Sequence, residues 1–221
     1  MVELSKINLF NTLSPEEIDE IRPYLIPVSF KKKETIFSEG DPSEWLYIVT
    51  EGKVKITKLS HEGKELILEI ISPYDFFGGV AVVKGFPYPA NAIAMEDVRL
   101  IKVSKGNLMK ILDRFPSVMF CMAQNLGERM KGTHDTLKNI ALERVESRIA
   151  SLLLKLSKKA GRKTPDGILI DLRLTKQDIA EMVGTTVETS IRTMSKFKRS
   201  GIVAEKSGKI LIKDPERLSS I

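Results

Sequence analysis

Glu188 and Arg192 lie four residues apart in the segment VETSIRTMSKFKRS, residues 187–200. On a helix that spacing puts both side chains on one face, with Val187 and Ile191 beside them. Arginine donates a bidentate pair to O6 and N7 of guanine, and glutamate accepts from the amino group of cytosine. Two such groups on one face are suited to reading base edges in a major groove, and Val187 adds an apolar surface for a thymine methyl. Two local alternatives use the same residues: a capping box between Thr185 and Glu188, or an i,i+4 ion pair between Glu188 and Arg192. Thr175, Lys176, Lys196, Lys198 and Arg199 are candidates for phosphate oxygens, contacts that position a protein without specifying sequence.

Two short helices would hold that face out. Thr175 is a fitting N-cap with Asp178 at the third helical position, and Ile179, Ala180, Met182 and Val183 supply an apolar face. Gly184 breaks the pattern. A second helix is expected from near Thr186 to about Ser200, amphipathic through Met194 and Phe197 and basic through Arg192, Lys196, Lys198 and Arg199. Two helices around a glycine turn, the second one basic, match a helix-turn-helix. A plain helical hairpin with a solvated charged face is the alternative.

Charge follows the same division. Residues 141–221 hold 17 lysines and arginines against 10 acidic residues, which leaves residues 1–140 at −1. A basic second half suits a polyanion, although a lysine-rich solvated surface gives the same count. The hydrophobic content of 42% supports real cores, and 221 residues leave room for two compact domains or one domain plus an extended helix. No apolar run approaches the ~18–20 residues of a membrane span, and MVELSKINLF lacks signal-peptide architecture. Cys121 is the sole cysteine, so neither a disulfide framework nor a cysteine-held zinc or iron–sulfur cluster is expected. These features place the chain in a reducing cytoplasm, away from membranes.

The rest of the chain reads as support. Ser14-Pro15-Glu16-Glu17 opens a short helix to about Arg22. From residue 28 to about 104 brief β-type runs alternate with turn signals at Gly40-Asp41-Pro42, Glu51-Gly52, Glu62-Gly63 and Ser72-Pro73. They predict a small antiparallel barrel or jelly roll, with FFGG among its runs. Around Pro116 the period becomes helical. Met119, Ala123, Leu126, Met130, Thr133, Leu137 and Ile140 recur at steps of four and three, a heptad seam that would pack on its own domain or on a second copy. Residues 142–157 form an amphipathic helix, followed by a turn over Gly161–Gly167 and a strand Ile168–Leu172. Ile202-Val203-Ala204 and Lys209–Ile212 flank Ser207-Gly208 as a β-hairpin. The expected fold class is α+β, with a β-roll at 1–112, a long helix at 113–140 and a winged helix-turn-helix at 141–221.

Leu174, Thr175, Lys176, Asp178, Ile179, Ala180, Val183, Gly184, Thr186, Glu188, Thr189 and Arg192 resemble the helix-turn-helix of the cyclic-AMP receptor protein / fumarate–nitrate regulator family. Ile36-Phe37, Glu39-Gly40-Asp41-Pro42, Leu46-Tyr47-Ile48-Val49, Gly52, Val54-Lys55-Ile56 and Phe76-Phe77-Gly78 are similar to that family's cyclic-nucleotide-binding roll. The resemblance covers nearly the whole chain. It implies a transcription regulator whose parallel dimer packs through the long helix, with Glu188 and Arg192 as base readers. It further implies a palindromic promoter site with a T-G-A half-site core, and contact with RNA polymerase. One position departs in the reading helix: the family buries an apolar residue where Ser190 stands, and here the isoleucine comes next, at Ile191, so either Ile191 faces DNA or the helix is slightly rotated.

The effector site departs further. The family's phosphate cassette reads F-G-E-x-A-L and then P-R-[ST]-A. This chain has Phe77-Gly78-Gly79-Val80-Ala81-Val82 and Pro87-Tyr88-Pro89-Ala90. Gly79 replaces the ribose-binding glutamate, Tyr88 the phosphate-binding arginine and Pro89 the hydroxyl residue. A buried phosphodiester would have no fixed cation, which argues against cyclic AMP. The expectation is instead an apolar pocket bounded by Phe77, Gly78, Gly79, Val80, Tyr88, Pro89 and Ala90, with Thr133 and His134 on the long helix where relatives contact their effector. Haem ligation by His134 stays open as an alternative. The cysteine cluster of the fumarate–nitrate branch is missing, so oxygen sensing by an iron–sulfur centre is not expected. Two other classes compete. A cupin-type enzyme would need clustered histidines on adjacent strands, and His61 stands alone in the roll. A ligand-binding regulatory module, sensing haem, gas or a small molecule without a main role on DNA, explains the roll but not residues 174–213.

Overall fold

The computed structural model describes residues 4–221, and it divides into two compact units that meet between Lys131 and Gly132. In the first, a 3-10 turn (Leu4–Lys6) precedes helix α1 (Pro15–Ile21) and a second 3-10 turn (Arg22–Tyr24). Ser14 caps α1 in a capping box with Glu17, as its sequence requires. The strands follow: β1 (Ile26–Phe30), β2 (Thr35–Phe37), β3 (Trp45–Glu51), β4 (Val54–Leu59), β5 (Glu65–Ile71), β6 (Phe76–Phe77), β7 (Asn91–Ala94) and β8 (Val98–Ser104). They form two antiparallel four-stranded sheets, ordered β1-β8-β3-β6 and β2-β7-β4-β5.

Strand β3 shows how the roll is filled. Successive side chains of a strand point to opposite faces. Tyr47 and Val49 join Phe37, Phe77, Tyr88 and Leu100 in one core, to which both sheets contribute. Leu46 and Ile48 join a second core with Phe10, Ile21, Leu108, Ile111, Val118 and Met122. Gly52 at the β3–β4 turn has φ +79, and a Cβ there would lie 2.6 Å from the Asp97 carbonyl oxygen, so only glycine fits.

Three helices complete this description: α2 (Gly79–Lys84), α3 (Lys105–Arg114) and α4 (Pro116–Leu142). Helix α2 differs from expectation. The run FFGG is strand only for Phe76–Phe77, and a short helix begins at Gly79 between two left-handed glycines, Gly78 (φ 81) and Gly85 (φ 78). Helix α4 presents two faces. Val118, Cys121 and Met122 are buried, and Asn125 and Arg129 half-buried, against the roll. Arg129 donates to the Phe76 carbonyl (2.5 Å) and to Asp75 (3.2 Å). The seam residues Met119, Ala123, Leu126, Met130, Thr133, Leu137 and Ile140 are all exposed.

The second unit contains α5 (Val145–Ala160), β9 (Gly161–Thr164), β10 (Gly167–Ile170), α6 (Lys176–Val183), α7 (Val187–Arg199), β11 (Val203–Lys206), β12 (Lys209–Ile212) and α8 (Pro215–Ser219). The stretch 161–167, expected as a turn, is largely strand: β9 and β10 form an antiparallel hairpin. The sheet order is β11-β12-β10-β9, so this hairpin and the wing share one sheet. Among the described residues no helix is long and apolar enough to cross a membrane.

Candidate nucleic-acid interface

Local capping sets the geometry of α6 and α7. Thr175 accepts from the Asp178 N–H while the Asp178 side chain accepts from the Thr175 N–H, a closed capping box. Gly184 ends α6 in the left-handed region (φ 66, ψ 53), donating to the Ala180 carbonyl. Thr186 then caps α7 by accepting from the Thr189 N–H. Arg148 of α5 donates to the Val183 carbonyl at 2.8 Å, which satisfies the end of α6 and fixes its direction. Ser190, Thr193, Met194 and Phe197 form the buried face of α7.

The opposite face carries the base-reading candidates. Glu188, Ile191 and Arg192 are exposed and Val187 is half-buried. Both local alternatives for Glu188 are unformed: the N-cap is Thr186, not Thr185, and among the described residues neither Glu188 nor Arg192 takes an ion pair or hydrogen bond. The departure at Ser190 does not rotate the helix. Ser190 keeps the buried position at 0% exposure, and Ile191 stands out at 47%. Ser195, exposed at i+7 from Glu188, extends the same stripe. Its place follows from helical spacing alone, although nothing in its residue type marks it in the sequence as the reader of a particular base.

The surrounding cations are not equivalent. Lys196 is held by Glu146 of α5 at 2.8 Å, whereas Lys198 and Arg199 are exposed at the C-terminal end of α7. Thr175 is exposed but engaged as a cap, and Lys176 is half-buried. In the wing, Ser207 (φ 53) and Gly208 (φ 73) make the two-residue turn between β11 and β12. Lys206 pairs with Asp166, and Lys209 with Asp171. Hydrogen bonds from Lys209 and Arg162 hold the Asp171 carboxyl below the usual range.

The roll interior is packed rather than open around its candidates. Tyr88 stacks on Phe37 with ring centroids 3.7 Å apart, and Phe37, Tyr47 and Phe77 continue the cluster. The Tyr88 hydroxyl donates to the Trp45 carbonyl (2.5 Å) and accepts from the Trp45 N–H (3.1 Å). Burial pushes that hydroxyl's pKa up to about 12, against the opposing effect of the Trp45 hydrogen bond. Phe77 and Ala90 are likewise buried, while Val80 and Pro89 face solvent. Phe77, Val80 and Tyr88 therefore do not bound one empty space, because the aromatic rings fill it. Gly79 is buried, and a Cβ on it would lie 2.7 Å from Leu46 Cδ1 and 3.0 Å from Met122 Cε. Thr133 and His134 are exposed positions on α4.

Known proteins share both parts of this plan. Residues 27–115 match the cyclic nucleotide-binding domain, and residues 147–221 match the Crp-like helix-turn-helix domain. The chain is 29% identical to a CRP-like cAMP-activated global transcriptional regulator of Mycobacterium tuberculosis, over 98% of this chain and 96% of that protein. It is 31% identical to the global nitrogen regulator of Synechococcus elongatus, over 86% of each. A mutant of CooA from Carboxydothermus hydrogenoformans has a similar structure, with a TM-score of 0.81 and 25% identity, covering 97% of this chain and 94% of that one.

Proposed function

The chain belongs to the Crp/Fnr family of transcription regulators, and on that premise we propose that it acts as a homodimer reading a palindrome in promoter DNA through Glu188 and Arg192. The observation that carries this reading is the outer face of α7. Two ionisable side chains, four residues apart, are held in solvent and have no partner among the described residues. Arg192 pairs with a guanine and Glu188 with a cytosine amino group, within a T-G-A half-site core. Lys198 and Arg199 lie against phosphates, with Thr175, Lys176 and Lys196 in the same class; Lys196 must first exchange Glu146 for DNA.

The exposed seam from Met119 to Ile140 supports a parallel pairing of two α4 helices, which gives the two reading helices the symmetry of a palindrome. Domain limits of 1–112, 113–140 and 141–221 follow from that division of labour. Control is allosteric: a signal in the roll shifts the paired helices and so the placement of the reading helices. The effector region comprises Phe77–Val80 and Tyr88–Ala90 of the roll; its chemistry is apolar, and a ligand enters only by displacing the aromatic packing there. Tyr88 and Gly79 leave no fixed cation or carboxylate for cyclic AMP, so another ligand carries the signal. Haem on His134 is the minor reading. RNA polymerase is the further partner in a cytoplasmic setting, and no catalytic role is proposed for a chain whose relatives regulate transcription.

Selection from random duplex DNA tests the reading. The full-length protein should enrich a two-fold motif with half-site centres about one helical turn, roughly 34 Å, apart. An enriched motif without two-fold symmetry would overturn it.

A further inference from the structure

Residues 190 and 191 invert the burial their side chains favour. Ser190 is fully buried, and its hydroxyl has no hydrogen-bond partner among the described residues. Ile191, the next residue, keeps 47% of its surface exposed. By transfer free energy alone, the isoleucine would favour the interior and the hydroxyl the water. Beyond residue 142, Ile191 and Ile221 are the exposed large apolar side chains among the described residues. Ile191 is also placed for a purpose: it lies on the stripe of Glu188, Arg192 and Ser195, one residue before Arg192 and three after Glu188.

We propose that Ile191 packs against the C5-methyl group of a thymine beside the base pair read by Glu188 and Arg192, and so fixes T at that step of each half-site. In the major groove only thymine presents a methyl group; the other base edges present donors and acceptors. A branched aliphatic chain satisfies neither, so a G·C pair at that step would lose water from its polar edge without a partner. Ile191 therefore selects T by attraction and rejects G·C by desolvation. This inference rests on the reading of α7 given above.

The test removes the methyl group alone. The full-length protein first enriches a duplex from a random pool, and each thymine of the half-site is then replaced singly by deoxyuridine. One replacement should weaken wild-type binding about fourfold per half-site, the scale of one buried methyl. Ile191→Ala should bind the thymine and deoxyuridine duplexes equally and keep its guanine preference. Ile191→Val, which retains two methyl groups, should keep most of the discrimination. Tolerance of deoxyuridine at every position, or an Ile191→Ala variant whose discrimination is unchanged at every position, would overturn the inference. Arg192→Ala then separates two failures. If it still relaxes the guanine preference, only Ile191 has been misassigned. If it does not, or if no duplex is enriched, the reading of α7 falls with it.

Discussion

Helix α7 and the aromatic interior of the roll treat their key side chains in opposite ways. On α7, Glu188, Ile191 and Arg192 are held in water, and neither charged group finds a partner among the described residues. In the roll, Tyr88 and Phe77 are buried, stacked and, for Tyr88, hydrogen-bonded to the backbone at Trp45. Unpaired charge and an exposed isoleucine contribute little to folding and stay available to a partner. A stacked, satisfied tyrosine is already explained by the core it completes. On the reading proposed here, α7 offers its side chains to DNA, while Tyr88 and Phe77 serve the packing of the roll.

The widest break in this comparison would come from separating the two reading helices. Leu126→Glu with Leu137→Glu places charges on the exposed seam, and the protein should sediment as a monomer with DNA affinity reduced by orders of magnitude. A wild-type protein already monomeric at tens of micromolar would contradict it. Gly79→Glu restores the family's cassette carboxylate, and here it should destabilise by about 2–4 kcal/mol through overpacking on Leu46 and Met122 and burial of charge. Denaturant titration would measure that loss, and a neutral substitution would show that the roll has room after all. Arg192→Ala should cost ~1–3 kcal/mol per half-site and relax the preference at one guanine, because it removes a bidentate contact. A quantitative binding series over base substitutions would show whether the loss is confined to that position.

Tyr88→Phe sharpens the comparison from the roll side. At neutral pH it should cost about 1 kcal/mol, as the Trp45 N–H and carbonyl lose their partner. The alkaline limb also changes. The folded chain raises the Tyr88 pKa from 10.0 to about 12, so the folded state favours the neutral hydroxyl. That stability is complete below pH ~10 and is lost as pH rises through about 12. Unfolding free energies measured from neutral pH to about pH 11 should fall less steeply in Tyr88→Phe than in the wild type.

The contrast also governs what the sequence could reveal. Helices α6 and α7 were legible because their signals are local: Thr175 with Asp178, Gly184, and an apolar stripe closing within thirteen residues. The seam of α4 was legible for the same reason. Helix α2 was not, since FFGG carries β-type residues and no side-chain cap, and its limits are set by two left-handed glycines. Helix α3 is less legible: Ser104 caps it, but Gly106 and Asn107 in its first turn are weak helix formers, and only Leu108, Ile111 and Leu112 bury its inner face. The stacking of Tyr88 on Phe37 joins residues 51 positions apart in the chain, and no periodicity records it. The substitutions at Gly79, Tyr88 and Pro89 could be read as lost phosphate chemistry. That aromatic rings fill the vacated space could not.

One binding experiment bears on both regions at once. The duplex enriched by the full-length protein is titrated by fluorescence anisotropy, with and without millimolar cyclic AMP, for wild type and Arg192→Ala. Wild-type affinity should be indifferent to cyclic AMP, and the guanine preference should disappear in the variant. Tighter wild-type binding on adding cyclic AMP would contradict this, as would an Arg192→Ala variant that reads the same bases.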